Sequence, residues 1–241
     1  MNKELFKANI IEIEDNFFEV EGLEKGEYDV QAIQYDRLIS NSLYNRLMWG
    51  NMPKDYSDFC KKGLQNSNDG IIADIGCGTL SFTYKEYTEY NRKDIFLCDL
   101  SSEMLKIGKN RIQNTGQNLL KIKFLRSNAL DMPFNDNAIE TVLSFGLFHI
   151  FHNPSDLVKE IVRILKPSGK LFLTSLCSDR KLSAKYLNFL HKKEYVAKPI
   201  KSTEIKQIIE TNGIDITEFR IKGGMTYISG MKMPTHNRCV S

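Results

Sequence analysis

The stretch "IIADIGCGTLSF" (71–82) decides how this chain folds. Five mostly apolar residues climb through Asp74, and Gly76 and Gly78 follow at alternate positions. An apolar run that breaks into glycines reads as a buried strand ending in a tight turn, where backbone without a Cβ can approach a ligand.

Working outward, β-rich runs recur at 70–76, 94–100, 121–127, 139–146 and 169–176, with helical patterns at 79–91, 101–115 and 153–166. Strands alternating with helices of this length form βαβ units and a parallel sheet. Ser101 is a candidate cap for the second helix, with Leu100, Met104, Leu105 and Ile107 as its apolar positions. Asn153-Pro154 opens the third, whose face is Leu157, Ile161, Ile164 and Leu165. Pro167 and Gly169 turn the chain into the next strand. Beyond 177, a helix over 202–214 has Ser202 as a candidate cap and Gly213 past its end, and 215–232 reads as two strands around Gly223-Gly224, a hairpin signal. The expectation is an α/β fold: a seven-stranded, mostly parallel sheet with a C-terminal antiparallel hairpin and helices on both faces. The first 69 residues read as an extension whose 29–50 segment is helical, with Ile33, Leu38, Ile39, Leu43 and Leu47 near one face. "NSND" (66–69) is the linker into a core of residues 70–241.

The chain has 241 residues, 41% hydrophobic and 26% charged, with a formal net charge of +3. This bias is too small to argue for a nucleic-acid partner. No apolar run approaches the ~20 residues of a membrane span, so no membrane insertion is expected. The acidic N-terminus lacks the apolar core of a signal peptide. The five cysteines (Cys60, Cys77, Cys98, Cys177, Cys239) form no metal-binding spacing, and no metal is expected. Buried, reduced thiols in a cytoplasmic protein are the reading.

The glycine turn must then be assigned a ligand. A dinucleotide loop reads G-x-G-x-x-G, but the frame from Gly76 ends in Ser81, and the G-K-[S/T] of a triphosphate loop is absent. Asp74 sits two residues before the first glycine. A carboxylate ~4 Å from a pyrophosphate would cost about 4 kcal/mol at an effective dielectric near 20, whereas the sulfonium and ammonium of S-adenosylmethionine welcome it. Asp99 ends the second strand 23 residues after Gly76, where an acidic side chain can accept both ribose hydroxyls.

With these residues in place the chain resembles the class I S-adenosylmethionine-dependent methyltransferases over roughly 70–232. "ADIGCGT" looks like their first motif, "LCDLSSEML" like the acidic second-strand motif, and "SNALDMPF" (127–134) like the adenine loop. The span 143–173 resembles their fourth strand, following helix and fifth strand. The closest flavour is the small-molecule group that includes quinone-biosynthesis methyltransferases. The resemblance implies a Rossmann-like sheet with a switch point between the first and fourth core strands. It implies a cofactor site made of Asp74, Gly76, Cys77, Gly78, Asp99, Leu100, Met104, Asn128, Ala129, Ser144 and Phe145. Two positions depart from the family. Leu80 stands where a third glycine is common, which is tolerable if residue 80 has helical dihedrals. Asn128 stands where Asp is common, and its side-chain oxygen can accept the same adenine hydrogen bond.

The acceptor is less legible. His149 and His152 follow the fourth strand, and His149 is the candidate base; the alternative is local packing or hydrogen bonding. Tyr35, Tyr44 and Trp49 recur at wide helical spacing, and in the resembled family such a segment often lies over the cofactor as a lid. The alternative is that they pack the segment to the core. Residues 179–206 are rich in Lys and Arg, a mark of an anionic substrate or partner, or simply of a solvated face. A small-molecule acceptor leads. A protein or nucleic-acid methyltransferase would carry N-P-P-[YF] after the fourth strand or a Pro-Cys nucleophile, and neither is present. A non-catalytic, methyltransferase-like binding protein is the reading from another class, opposed by the intact Asp74, Gly76, Gly78 and Asp99.

Overall fold

The computed structural model describes residues 3–23, 32–67, 70–90, 93–116 and 119–234, with the side chains of residues 32–35 left aside. Nine strands form one sheet in the order β1-β2-β5-β4-β3-β6-β7-β9-β8. They are β1 (Ile10–Glu14), β2 (Phe17–Val20), β3 (Ile72–Ile75), β4 (Ile95–Asp99), β5 (Ile122–Arg126), β6 (Ile139–Phe145), β7 (Leu165–Leu176), β8 (Ile214–Lys222) and β9 (Met225–Lys232). The helices are α1 (Ala32–Ile39), α2 (Ser42–Tyr44), α3 (Pro53–Asn66), α4 (Tyr84–Glu89), α5 (Ser102–Gln113), α6 (Pro154–Ile164), α7 (Lys181–Lys192) and α8 (Ser202–Thr211).

The parallel core β5-β4-β3-β6-β7 and the antiparallel β8–β9 hairpin are as the pattern requires. All four residues of β3 are buried, as expected for a strand covered on both faces. Ala73 and Ile75 join one core with α6 and α8, and Ile72 joins the other with α3 and α5. The order reverses between β3 and β6, so the loops after these strands diverge and leave a crevice at their carboxyl ends.

The strand count is nine rather than seven because the N-terminus makes a hairpin. β1 pairs with β2 through a turn in which Asn16 has φ 57°, and β2 lies parallel to β5. Buried Lys109 on α5 donates to the Asp15 carbonyl at 2.6 Å and pairs with Glu14, and buried Arg126 pairs with Glu19. Phe17 and Trp49, both before residue 70, belong to the same core as Ile72 of β3. The 29–50 helix breaks at Ser40, and Asn41 caps α2 by accepting from the Tyr44 N–H. A π-helical turn over Asn45–Trp49 follows and ends at Gly50 in a left-handed conformation. At α6, Asn153 does not cap with its side chain but donates to Asp156 instead. At α8, Ser202 is the first helical residue and its hydroxyl donates to Asp179.

The β8–β9 turn holds the N-terminal segment. The Gly224 N–H donates to the Trp49 carbonyl at 2.7 Å, and a Cβ on Gly223, which has φ +62°, would stand 2.0 Å from that oxygen. Backbone cannot yield as a side chain can. We therefore expect Gly223→Ala to cost at least about 3 kcal/mol in urea unfolding. Gly22→Ala, at positive φ but with open space around it, should cost only about 1 kcal/mol.

Candidate cofactor and acceptor site

The loop after β3 is built from three left-handed residues at alternate positions: Gly76 (φ 71°), Leu80 (φ 57°) and, between them, Gly78 (φ 56°). The Gly76 and Cys77 N–H groups both donate to the Cys98 carbonyl, at 2.8 and 3.0 Å, which bends the chain over the end of β4. A Cβ on Gly76 would lie 2.7 Å from Leu147, so the turn fits the switch point only without a side chain.

Leu80 corrects the expectation of helical dihedrals. A left-handed conformation costs a non-glycine residue about 1–2 kcal/mol. The side chain is 2% exposed and seats against Gly108 of α5, where an added Cβ would come within 3.1 Å of it. Burying a leucine contributes about 1.5–3 kcal/mol, enough to offset the strain. The same conformation delays the helix, which starts at Tyr84 instead of 79.

Asp99 closes the loop. One carboxylate oxygen accepts from the Gly78 N–H at 2.8 Å and the other from the Ser101 N–H at 2.9 Å. Ser101 caps α5 by accepting from the Met104 N–H at 3.2 Å. Leu100 and Met104 are half-buried beside this junction.

Asp74 is 2% exposed, and the Tyr87 hydroxyl donates to its Oδ2 at 2.6 Å. Its Oδ1 is buried without a hydrogen-bond partner. Burial raises its pKa to about 7, the Tyr87 hydrogen bond opposes the rise, and the Asp99 charge adds to it. The bare carboxylate inferred from the sequence is thus a half-satisfied acid that a nearby cation would ionise. The orphaned Oδ1, beside a turn in which Gly76 leaves no room for a Cβ, suits a cationic, phosphate-free nucleoside.

The other expected residues divide. Asn128 and Ala129 are half-buried in the loop after β5, but the Asn128 side-chain oxygen already accepts from the Leu130 N–H at 2.9 Å, a local turn. Ser144 is fully buried and its hydroxyl donates to the Ile75 carbonyl, so it ties β6 to β3. Phe145 stands edge-on to Phe59 of α3. Burial, with Asp74 and Asp99 nearby, pushes the Cys77 thiol well above its usual pKa, so it stays protonated.

His149 lies on a short 3₁₀ turn (Phe148–Ile150) after β6. Its Nδ1 accepts from the Leu176 N–H at 3.4 Å, and burial lowers its pKa to about 4. It is therefore neutral near pH 7, with its proton on Nε2. It borders a cavity of about 230 Å³ lined by Phe148, Phe151, Leu176, Leu187, Val196 and Ile200, with His152 and Lys198 among its polar groups.

Of the aromatic trio, the Tyr35 side chain lies outside the described residues. Trp49 is buried and packs on Tyr186 of α7, which also meets Tyr44. The contact with the glycine loop comes instead from α1. Asp36 receives two hydrogen bonds from Arg111 of α5, at 2.9 and 2.6 Å, and one from the Thr79 hydroxyl, and Arg111 also donates to the Thr79 carbonyl. Sequence reading missed Tyr87, Asp36 and Arg111, and no local pattern marks them.

Residues 73–173 match the family described as a methyltransferase domain. The ubiquinone/menaquinone biosynthesis C-methyltransferase UbiE of Blochmanniella floridana is 29% identical over 144 residues, 59% of this chain and 54% of the relative. The demethylmenaquinone methyltransferase of Bacillus pumilus is 32% identical over 109 residues, 44% of this chain and 45% of the relative. The chain spans about half the length of the curated relatives it matches. The crystal structure of an S-adenosylmethionine-dependent methyltransferase from Aquifex aeolicus has the same fold, with a TM-score of 0.61 at 14% identity over 83% of this chain and 98% of the other. Residues 73–173 are thus similar to a methyltransferase domain, and the matched relatives belong to quinone biosynthesis.

Two outcomes follow from the loop. Leu80→Gly relieves about 1–2 kcal/mol of strain but empties a leucine-sized space worth about 3–5 kcal/mol, so a net loss of about 1–4 kcal/mol is expected in denaturant titration. Between pH 3.8 and about 7 the folded chain keeps a proton on Asp74 that the unfolded chain releases. The stability linked to this group is complete below pH 3.8 and lost as pH rises through 7. Asp74→Asn should remove that slope from unfolding measured across the window. A cationic cofactor favours the ionised acid, so its affinity should rise from pH 6 to 8 in the parent and stay flat in Asp74→Asn.

Proposed function

We propose that this chain transfers a methyl group from S-adenosylmethionine to a small-molecule acceptor with an apolar body. The single observation that carries this is the glycine loop closed by Asp99, whose Gly76 packs on Leu147, two residues before the His149 that borders an apolar cavity. The names of the matched relatives, C-methyltransferases of quinone biosynthesis, support it. The bound cofactor supplies an activated methyl group on a sulfonium, so the protein's work is orientation and exclusion of water.

In the bound state Asp99 would accept the ribose hydroxyls, Asp74 would supply negative charge to the cationic end, and the glycine turn would let backbone come close. Phe148, Leu176 and Leu187 hold the apolar part of the acceptor against His149. A neutral imidazole of pKa about 4, with Nδ1 engaged by a backbone N–H, orients an acceptor oxygen by donating from Nε2; it is a weak base. The lid is α1, held down by Asp36 on Thr79 and Arg111 rather than by aromatic rings. Removing residues 1–50 would also remove β1, β2 and buried Trp49, so a point change tests the lid better.

The test is transfer of labelled methyl to a panel of hydroxylated aromatic and aliphatic acceptors, with retention of label in an organic extract. Turnover with an apolar acceptor supports the reading. Cofactor binding without turnover on any acceptor would favour the non-catalytic alternative. His149→Gln, which keeps a donor, should hold the rate within about tenfold; a fall of about a hundredfold or more would make His149 a general base. Asp36→Ala should raise the cofactor Kd about fivefold or more, by loss of a charge-assisted pair that closes the site.

A further inference from the structure

Leu187 of α7 lines the cavity just described, but the exposed lysine-rich face of the same helix takes no part in it, and the structure gives that face a specific form. Helix α7 buries Ser183 and Leu187 and turns Leu182 and Phe189 outward, with Phe189 53% exposed. Lys181, Lys185, Lys192 and Lys193 are exposed around them, and among the described residues none of the four is in a salt bridge.

The surface continues onto the N-terminal segment. Tyr186 joins the two elements: its hydroxyl meets that of Tyr44 at 3.2 Å, and its ring stacks on Phe189 at 6.2 Å. Arg180 donates to the Leu47 carbonyl at 2.9 Å. Beside this seam Leu43 is 64% exposed and Leu47 51%. The two segments, 37–49 and 180–193, hold seven Lys and Arg residues and no carboxylate.

We propose that this face docks on an anionic lipid bilayer. Outward apolar side chains ringed by lysines are what an interface-lying helix presents: the apolar tips enter the acyl boundary and the ammonium groups meet lipid phosphates. The charge complements an anionic surface, and the exposed apolar groups explain why the partner is a bilayer rather than a nucleic acid. Leu43, Leu47 and Leu182 are aliphatic and cannot stack on bases. Among the described residues no helix is long and apolar enough to cross a membrane, so the attachment is peripheral. The proposal does not depend on the methyl acceptor.

Co-sedimentation of the full chain with sucrose-loaded vesicles tests it. Vesicles containing phosphatidylglycerol should bind at least about tenfold more tightly than pure phosphatidylcholine, and the excess should vanish in high salt. Lys185→Glu with Lys192→Glu should cost about fivefold per charge removed or more. Leu182→Ser with Phe189→Ser should cost at least about tenfold, with cofactor affinity unchanged as proof of folding. Equal binding to both vesicle types, no binding to either, or variants that bind like the parent would overturn the proposal. So would equal, similarly salt-sensitive binding to a short DNA duplex, or a self-association abolished by the Leu182/Phe189 pair.

Discussion

One carboxylate organises the site. Asp99 receives the Gly78 N–H of the glycine turn and the Ser101 N–H that opens α5, so a strand end, a loop and a helix start converge on two oxygens. The parallel pairing of β3 with β4 makes this possible. Ile75 stands opposite Cys98, which brings the end of β3 and Asp99 to the same level of the sheet. The loop after β5 is tied to the same point, since the Ser127 N–H donates to the Asp99 carbonyl. The glycine loop, helix α5 and the loop after β5 are thus placed by adjacent hydrogen bonds.

Around that anchor the chain tolerates local costs. Leu80 occupies a backbone conformation suited to glycine and is held there by its fit against Gly108. Asp74 is buried with one oxygen unpartnered and a pKa near 7. Such costs persist where the surroundings over-determine them, and here one lies in β3 and the other on the glycine loop that follows it. The Asp36–Arg111 pair adds a clamp from α1 across the same loop.

The parallel core was legible in the sequence because its strands are short, apolar and punctuated by Gly and Pro, and its helices bury one face. The hairpin at 10–20 was not, because four of the five residues of β1 are exposed and the segment reads as an acidic tail. Its Asp15-Asn16 turn was the available signal. Asp74, Gly76, Gly78 and Asp99 stand out in the sequence because short motifs and the charge of their carboxylates mark them. Tyr87 and the Asp36–Arg111 pair depend on packing between elements, Arg111 lying 75 residues from Asp36. Trp49 shows a different limit: an aromatic at helical spacing looks the same in sequence whether it covers a ligand or fills a core, and here it packs on α7.

The most direct measurement is calorimetric titration of S-adenosylmethionine and its demethylated product into the parent and into Asp99→Ala, with unfolding of both followed in parallel. The account predicts micromolar binding to the parent and a loss of about thirtyfold or more in a variant that remains folded. Equal affinity in the two proteins would contradict it, because Asp99 would then hold the loop without holding the cofactor.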